Sequence, residues 1–185
     1  SILVGDTLYF NADDGSSGQE LWAHDTSNAS TWRVADVYSG TASSNPGAYM
    51  SILVGDTLYF SADDGSSGYE LWAHQPGEIT SLSSGSGSGS GTTTNGNGTT
   101  WQVADINSGA DSSYPGQFME ILVGDTLYFS ATDGSSGKEL WAHDTSNAST
   151  WQVADIYSGS TGSSPGYYMA ILVGDTLYFG ATDAS

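Results

Sequence analysis

The sequence contains no cysteine, and only two basic side chains, Arg33 and Lys138, occur among its 185 residues. Without thiols there is no disulfide framework, zinc-thiolate centre or cysteine nucleophile. Two cations against 21 acidic residues leave a net charge of −19. A chain so negative repels phosphates, which excludes nucleic acid as a partner, and it is repelled by anionic lipid as well. No stretch approaches the roughly 20 apolar residues needed to span a bilayer, so membrane insertion is not expected. The chain starts at Ser1 with no apolar leader, and reads as a mature or trimmed product. What is present is enough for a core: 37 % of the residues are hydrophobic, with six Trp and eleven Tyr. The length suits one ordinary domain or two small ones.

The dominant feature is an internal repeat. ILVGDTLYF begins at Ile2, Ile52, Ile121 and Ile171, giving offsets of 50, 69 and 50 residues. ELWAH recurs at Glu20, Glu70 and Glu139, and a W-x-V-A-D segment at Trp32, Trp101 and Trp151. The unit is therefore 50 residues, and the longer offset reflects an insertion of 19. This insertion falls in 78–98 and includes the Ser/Gly tract SGSGSGSG, a composition typical of flexible tethers. The array divides into units 1–50, 51–119, 120–169 and a partial unit 170–185.

Each unit reads as strands, with no segment of helical period or length. In the second unit, Tyr49 to Val54 and Thr57 to Asp63 flank Gly55-Asp56, a two-residue connection that closes a tight hairpin. An Asp-Asp-Gly-Ser-Ser-Gly turn leads to a third strand, Tyr69 to His74, and Trp101 to Ile106 supplies a fourth. Both faces are apolar: Leu8 and Phe10 point one way and Tyr9 the other, while Leu21 and Ala23 oppose Trp22. Such strands need cover on each side. Stacked four-stranded units of 40 to 50 residues are the signature of a β-propeller-like array, in which neighbouring blades cover each other.

The run TLYFSADDGSSGYELW, followed by W-x-V-A-D-I and a Ser/Gly/Pro loop, resembles the ELWxxDGT repeat family, and the likeness covers nearly all of the chain outside the insertion. This chain departs from the family motif after ELW, reading ELWAHDT in two units and ELWAHQP in the other. The resemblance implies a bacterial secreted or cell-surface protein with β-propeller-like repeats, and it brings no catalytic residues.

Three units of four strands and a terminal pair make about 14 strands, or three and a half blades, against the four to eight of closed propellers. An incomplete blade exposes a strand edge, which recruits partners. The expected partner is a second copy, giving a homo-oligomer or a filament. An alternative places the tether between two seven-stranded β-sandwiches.

Candidate sites follow the repeat. Asp13, Asp14 and Glu20, their counterparts Asp63, Asp64 and Glu70, and Asp133 with Glu139 crowd oxygen ligands around a glycine turn. Calcium, which takes six to eight oxygens, is the ion such a set would hold; the plainer reading is a turn in which Asp caps the backbone. No other cofactor is expected. His24, His74 and His143 fall at equivalent places in successive units, too far apart for one ion. Trp32, Trp101 and Trp151, on the fourth strands, are candidates for stacking on sugars, against the alternative of packing between sheets. Asn28, Asn97 and Asn147 each open an Asn-x-Ser/Thr sequon four residues before a Trp, and are candidates for N-glycosylation or for simple Asx turns. No nucleophile elbow or other catalytic constellation is present.

These observations lead to the expectation of a non-enzymatic, extracellular or cell-surface structural or adhesive protein, with a carbohydrate-binding module as the alternative. The charge carries its own expectation. Self-repulsion among 21 carboxylates destabilises the compact state, and salt screens it. The thermal midpoint should therefore rise between low and molar salt in a calorimetric or dichroism scan; a midpoint that stays put would contradict this.

Overall fold

A computed structural model describes residues 1–77 and 98–183. These residues are all-β, arranged in four antiparallel sheets that follow the repeat. The first sheet comprises β1 (Ile2–Val4), β2 (Thr7–Asp13), β3 (Gln19–Asp25) and β4 (Ser30–Ala35). The second comprises β5 (Ser51–Val54), β6 (Thr57–Asp63), β7 (Tyr69–Gln75) and β8 (Thr99–Ala104). The third comprises β9 (Glu120–Val123), β10 (Thr126–Thr132), β11 (Lys138–Asp144) and β12 (Ser149–Ala154). The last holds only β13 (Ala170–Val173) and β14 (Thr176–Phe179). Each is a meander in chain order, and the sheets do not close on one another.

Local chemistry sets the hairpins. Gly5, Gly55, Gly124 and Gly174 all have φ between +56° and +59°, the left-handed conformation that a two-residue turn with glycine first requires. The partner strand follows in register, Ile52 opposite Tyr59 and Val54 opposite Thr57. The register between the third and fourth strands slips at Leu21/Trp22, Leu71/Trp72 and Leu140/Trp141, the same bulge in every complete unit.

Four boundaries of the second unit differ from the sequence expectation. The third strand runs on to Gln75 rather than His74, and the fourth starts at Thr99 rather than Trp101. The first strand begins at Ser51 rather than Tyr49, because the N–H groups of Tyr49 and Met50 donate to the Ser61 hydroxyl instead of a ladder. The fourth strand ends at Ala104 rather than Ile106, because the Ile106 N–H turns inward to Glu70. The two-sandwich alternative also fails, since β8 pairs with β7 across the insertion and the two halves share a sheet.

The alternating faces behave as two-sided burial demands. In the middle unit Leu58, Tyr59 and Phe60 are all buried. In the first unit only Tyr9, on the side of the second unit, is buried, and in the third Leu127 and Phe129 are buried while Tyr128 is half-exposed. Two core clusters result. One packs Tyr9, Leu21 and Ala23 against Leu58, Phe60 and Ala62; the other packs Tyr59, Leu71 and Ala73 against Leu127, Phe129 and Ala131. At the two junctions between complete units a tyrosine also lies against the next unit's histidine, with ring centroids 5.3 Å apart for Tyr9 and His74 and 5.4 Å for Tyr59 and His143.

His74 is held by a 2.9 Å hydrogen bond between Nδ1 and the Thr100 hydroxyl, and burial pushes its pKa down to about 4. The unfolded chain protonates this imidazole near 6.5, so the folded state binds fewer protons between those values and this residue's contribution to stability is lost as pH falls from 6.5 towards 4. NMR titration of the His74 ring should give a midpoint near 4; a midpoint near 6.5 would mean that the junction does not exclude water.

Candidate functional site

The strongest concentration of buried polar chemistry is repeated at each junction. Glu20, Glu70 and Glu139, second residues of β3, β7 and β11, are fully buried. Each faces the long loop that leads to the next unit. Glu20 accepts from the Val37 N–H at 2.8 Å, the Ser44 N–H at 3.0 Å and the Ser44 hydroxyl at 2.7 Å. Glu70 accepts from Ile106, and twice from Ser113, at 2.8, 2.9 and 2.7 Å. Glu139 accepts from the N–H groups of Ile156, Tyr157 and Ser163 and from the Ser163 hydroxyl. The serines are themselves fully buried.

The same serines reach forward. The carbonyls of Ser44, Ser113 and Ser163 accept from the N–H groups of Asp63, Thr132 and Thr182 at the ends of the next unit's hairpin. One glutamate thus fixes a loop whose backbone positions the following sheet. Burial pushes the Glu70 carboxyl up to about 7, against the opposing pull of hydrogen bonds from Ser113 and Ile106. This group favours folding more strongly as pH falls from 7 to 4.5, the opposite sign to His74.

The aspartates beside these glutamates do different work. Asp14 Oδ1 accepts from the N–H groups of Ser16 and Ser17, and Asp64 and Asp133 do the same for their serines. The Ser16 hydroxyl together with those N–H groups holds Asp14 at about 2, and the bonds from Ser136 and Ser135 outweigh burial to hold Asp133 at about 2. Asp13 and Asp63 accept from the N–H groups of Gly15 and Gly65. The carboxylates proposed as a calcium set therefore divide, the aspartates capping their own turn and the glutamate pointing into the loop. Among the described residues no group of three or more metal-ligating side chains converges.

The sequons are placed on exposed turns where they are described. Asn28 Oδ1 accepts from Ser30 N–H and hydroxyl, its amide donates to Asp25, and Ala29 takes φ +59°. Asn147 repeats the arrangement with Asp144 and Ser149. Asn97 lies outside the described residues. The tryptophans split by strand. Trp22, Trp72 and Trp141 are half-buried, with indole N–H groups that are buried and have no acceptor among the described residues. Trp32 packs on the first core cluster, while Trp101 and Trp151, on the edge strands β8 and β12, are 37 % and 40 % exposed.

Three features escape sequence reasoning. The Ser partners of the glutamates lie in loops rich in serine, and only the constant spacing of 24 residues from Glu20 to Ser44 and from Glu139 to Ser163 marks them. An aromatic stripe follows the loops, with Tyr49 edge-on to Tyr69 and Tyr114 at 5.0 and 5.2 Å, and Lys138 over the rings of Tyr114 and Phe118. Burial pushes Lys138 down to about 8. Glu120 has a buried Oε2 without a partner among the described residues, and burial pushes it up to about 7.

Comparison of the chain with protein-family models, with curated proteins and with solved structures finds no match. The arrangement in hand is one of structural polar contacts, repeated at every step. Glu70→Gln turns an amide N–H towards the donors of Ile106 and Ser113, so the substitution should cost about 2 to 4 kcal/mol of stability in urea denaturation. A loss below about 0.5 kcal/mol, the scale of a surface change, would reject this role.

Proposed function

We propose that the chain is a non-catalytic structural or adhesive repeat protein of the extracellular space or cell surface, built as a run of propeller-like blades that self-associates through the exposed hairpin β13–β14. The observation that carries this reading is the exposure of the terminal hairpin. Tyr178 is 53 % exposed, whereas its counterparts Tyr9 and Tyr59 are buried; Met169 is 51 % exposed, whereas Met50 and Met119 are buried. Tyr168 stands 88 % exposed beside them. A two-stranded ribbon with an apolar face is marginal alone and gains by pairing. Location outside the cell is supported by the acidic Ser/Thr/Gly-rich composition, the exposed sequons at Asn28 and Asn147, and the family resemblance.

Carbohydrate binding is a second reading, favoured by the exposure of Trp101 and Trp151 at equivalent places on two edge strands. Binding on a glycan array that is lost in Trp101→Ala and Trp151→Ala would support it. For self-association, light scattering across a concentration series should give masses rising in multiples of 19.2 kDa. A single 19.2 kDa species at every concentration would overturn the assembly reading.

A further inference from the structure

One position of the repeat changes its chemistry at a single junction. The residue that opens the first strand of the sheet is Ser51 in the second unit, Glu120 in the third and Ala170 in the fourth. Strand alternation puts Glu120 on the same face of β9 as Leu122. Leu122 packs with Ile52 and Val54 of β5 on the core cluster between the second and third units. Glu120 also lies opposite Phe129, which is fully buried in that cluster. A carboxyl therefore stands at an apolar junction, in a place where the second and fourth units carry a hydroxyl or a methyl group.

The carboxyl is closely held. Its Oε2 is buried and has no hydrogen-bond partner among the described residues. The oxygen rests beside Gly116, so near that a Cβ there would come within 3.3 Å of it. Gly116 is left-handed at φ +77° and is also approached by the Met50 side chain, so the bare glycine admits both groups. In the second unit the smaller Ser51 side chain stands over Gly47 in the same way, where a Cβ would lie 3.4 Å from the Ser51 Cβ.

The elements packed against Glu120 bring no opposite charge to it. β10 presents Phe129, the loop before β9 presents Gly116, and β5 presents the backbone N–H of Ser51, which favours the ionised form. The other titratable groups of this junction are engaged elsewhere: Glu70 with Ile106 and Ser113, His143 with Thr150 and the Tyr59 ring, and Lys138 over Tyr114 and Phe118. Burial prevails over the Ser51 N–H, and the Glu120 carboxyl is pushed up to about 7.

We propose that Glu120 is a proton-operated latch between the second and third units: protonated, it stays packed against Phe129 and Gly116, and ionised, it leaves for water and lets the two units part. A carboxylate in an apolar contact is costly unless it is paired, and turning out to solvent relieves that cost. The second junction is then a hinge closed by acid, in an array whose first junction carries Ser51 in that place. The latch works within one chain and does not depend on self-association.

The sign follows from the two ionisation points, near 7 when closed and near the ordinary 4.5 when open. The closed form holds the proton between those values, so opening grows as pH rises from 4.5 to 7 and levels off above. From pH 5 to pH 7.5 the opening equilibrium should rise about 50-fold. His143 acts in the opposite sense, because burial lowers its pKa and closure gains as it loses its proton. Comparison with Glu120→Gln, which removes only the glutamate's charge, separates the two.

Native-state hydrogen exchange reads both junctions in one experiment. The Gly116 N–H donates to the Ser130 carbonyl and the Gly47 N–H to the Ser61 carbonyl, each at 2.8 Å, and the two bonds are counterparts. Protection of Gly116 in the wild-type chain, relative to Glu120→Gln, should fall about 50-fold between pH 5 and pH 7.5, while the same ratio for Gly47 stays level. A carbon-detected NMR titration of the wild-type Glu120 carboxyl should give a midpoint near 7.

A midpoint near 4.5 overturns the latch, whether or not any variant folds. Equal loss of protection at Gly47 and Gly116 overturns it too, since Glu120 then acts on the whole fold and not on one junction. So does a Gly116 ratio that does not change with pH. If Glu120→Gln does not fold, Glu120→Ser takes its place in the comparison, carrying the residue that the second unit has at this position.

Discussion

The architecture depends on one buried carboxyl per unit. A glutamate in the third strand gathers N–H groups and a serine hydroxyl from a loop that is otherwise short of regular hydrogen-bond partners, and the carbonyl of that serine accepts a backbone N–H at the end of the next unit's hairpin. Buried backbone groups must be satisfied, and in a Ser/Gly/Pro connection neither helix nor ladder can do it. The glutamate does so from the side of the preceding sheet. Loop conformation and the spacing of neighbouring sheets are therefore set by the same contact. The residue that follows the serine in each loop is left-handed, at φ +45° to +51° in Asn45, Tyr114 and Ser164, although none is glycine. A backbone conformation that unfavourable persists where its surroundings over-determine it, as the bonds on either side do here.

Around this polar contact the apolar packing is strictly nearest-neighbour. Each sheet has two greasy faces and covers one face of the next, as the burial of Leu58, Tyr59 and Phe60 together in the middle unit shows. The same residue types are half-exposed wherever a neighbour is lacking, at Leu8 and Phe10 on one end and at Tyr128 and Tyr178 on the other. Stability in such an array is approximately a sum of unit and interface contributions, so interior units are held on both sides and terminal ones on one. The terminal hairpin is the extreme case, with two strands and a single interface.

Much of this was legible in the sequence, and the limits have physical causes. The hairpins follow from Gly-Asp between β-branched and aromatic runs, and the two-sided burial from apolar residues on both faces of strands too short to be helices. The glutamate's bonds to the loop were not legible, because a carboxylate beside an Asp-Asp-Gly turn looks like part of that turn. Strand alternation decides otherwise: Glu20 leaves the turn as the second residue of β3, and its partner Ser44 is 24 residues away among other serines. The end of β8 was placed too late because the N–H of Ile106 is diverted by a residue 36 positions earlier. The half-exposed state of Trp101 and Trp151 follows from their place on edge strands.

The repeat also constrains what any assembly of this chain can look like. The two ends present different surfaces, the Tyr128 side of the third unit with its hairpin at one end and the Leu8 and Phe10 side of the first at the other. Contact between ends is then head-to-tail, and head-to-tail contacts make rings if the rotation closes and filaments if it does not. Because the units are nearly identical, the rotation per step is set at each junction by the same glutamate and serine contacts, so a junction between copies that reuses them inherits the same turn. Charge acts on the outcome from outside. Each added copy brings a further −19, and the repulsion between copies falls as salt shortens its range. The proposed assembly would thus be directed by short-range packing and limited by long-range charge over the whole surface.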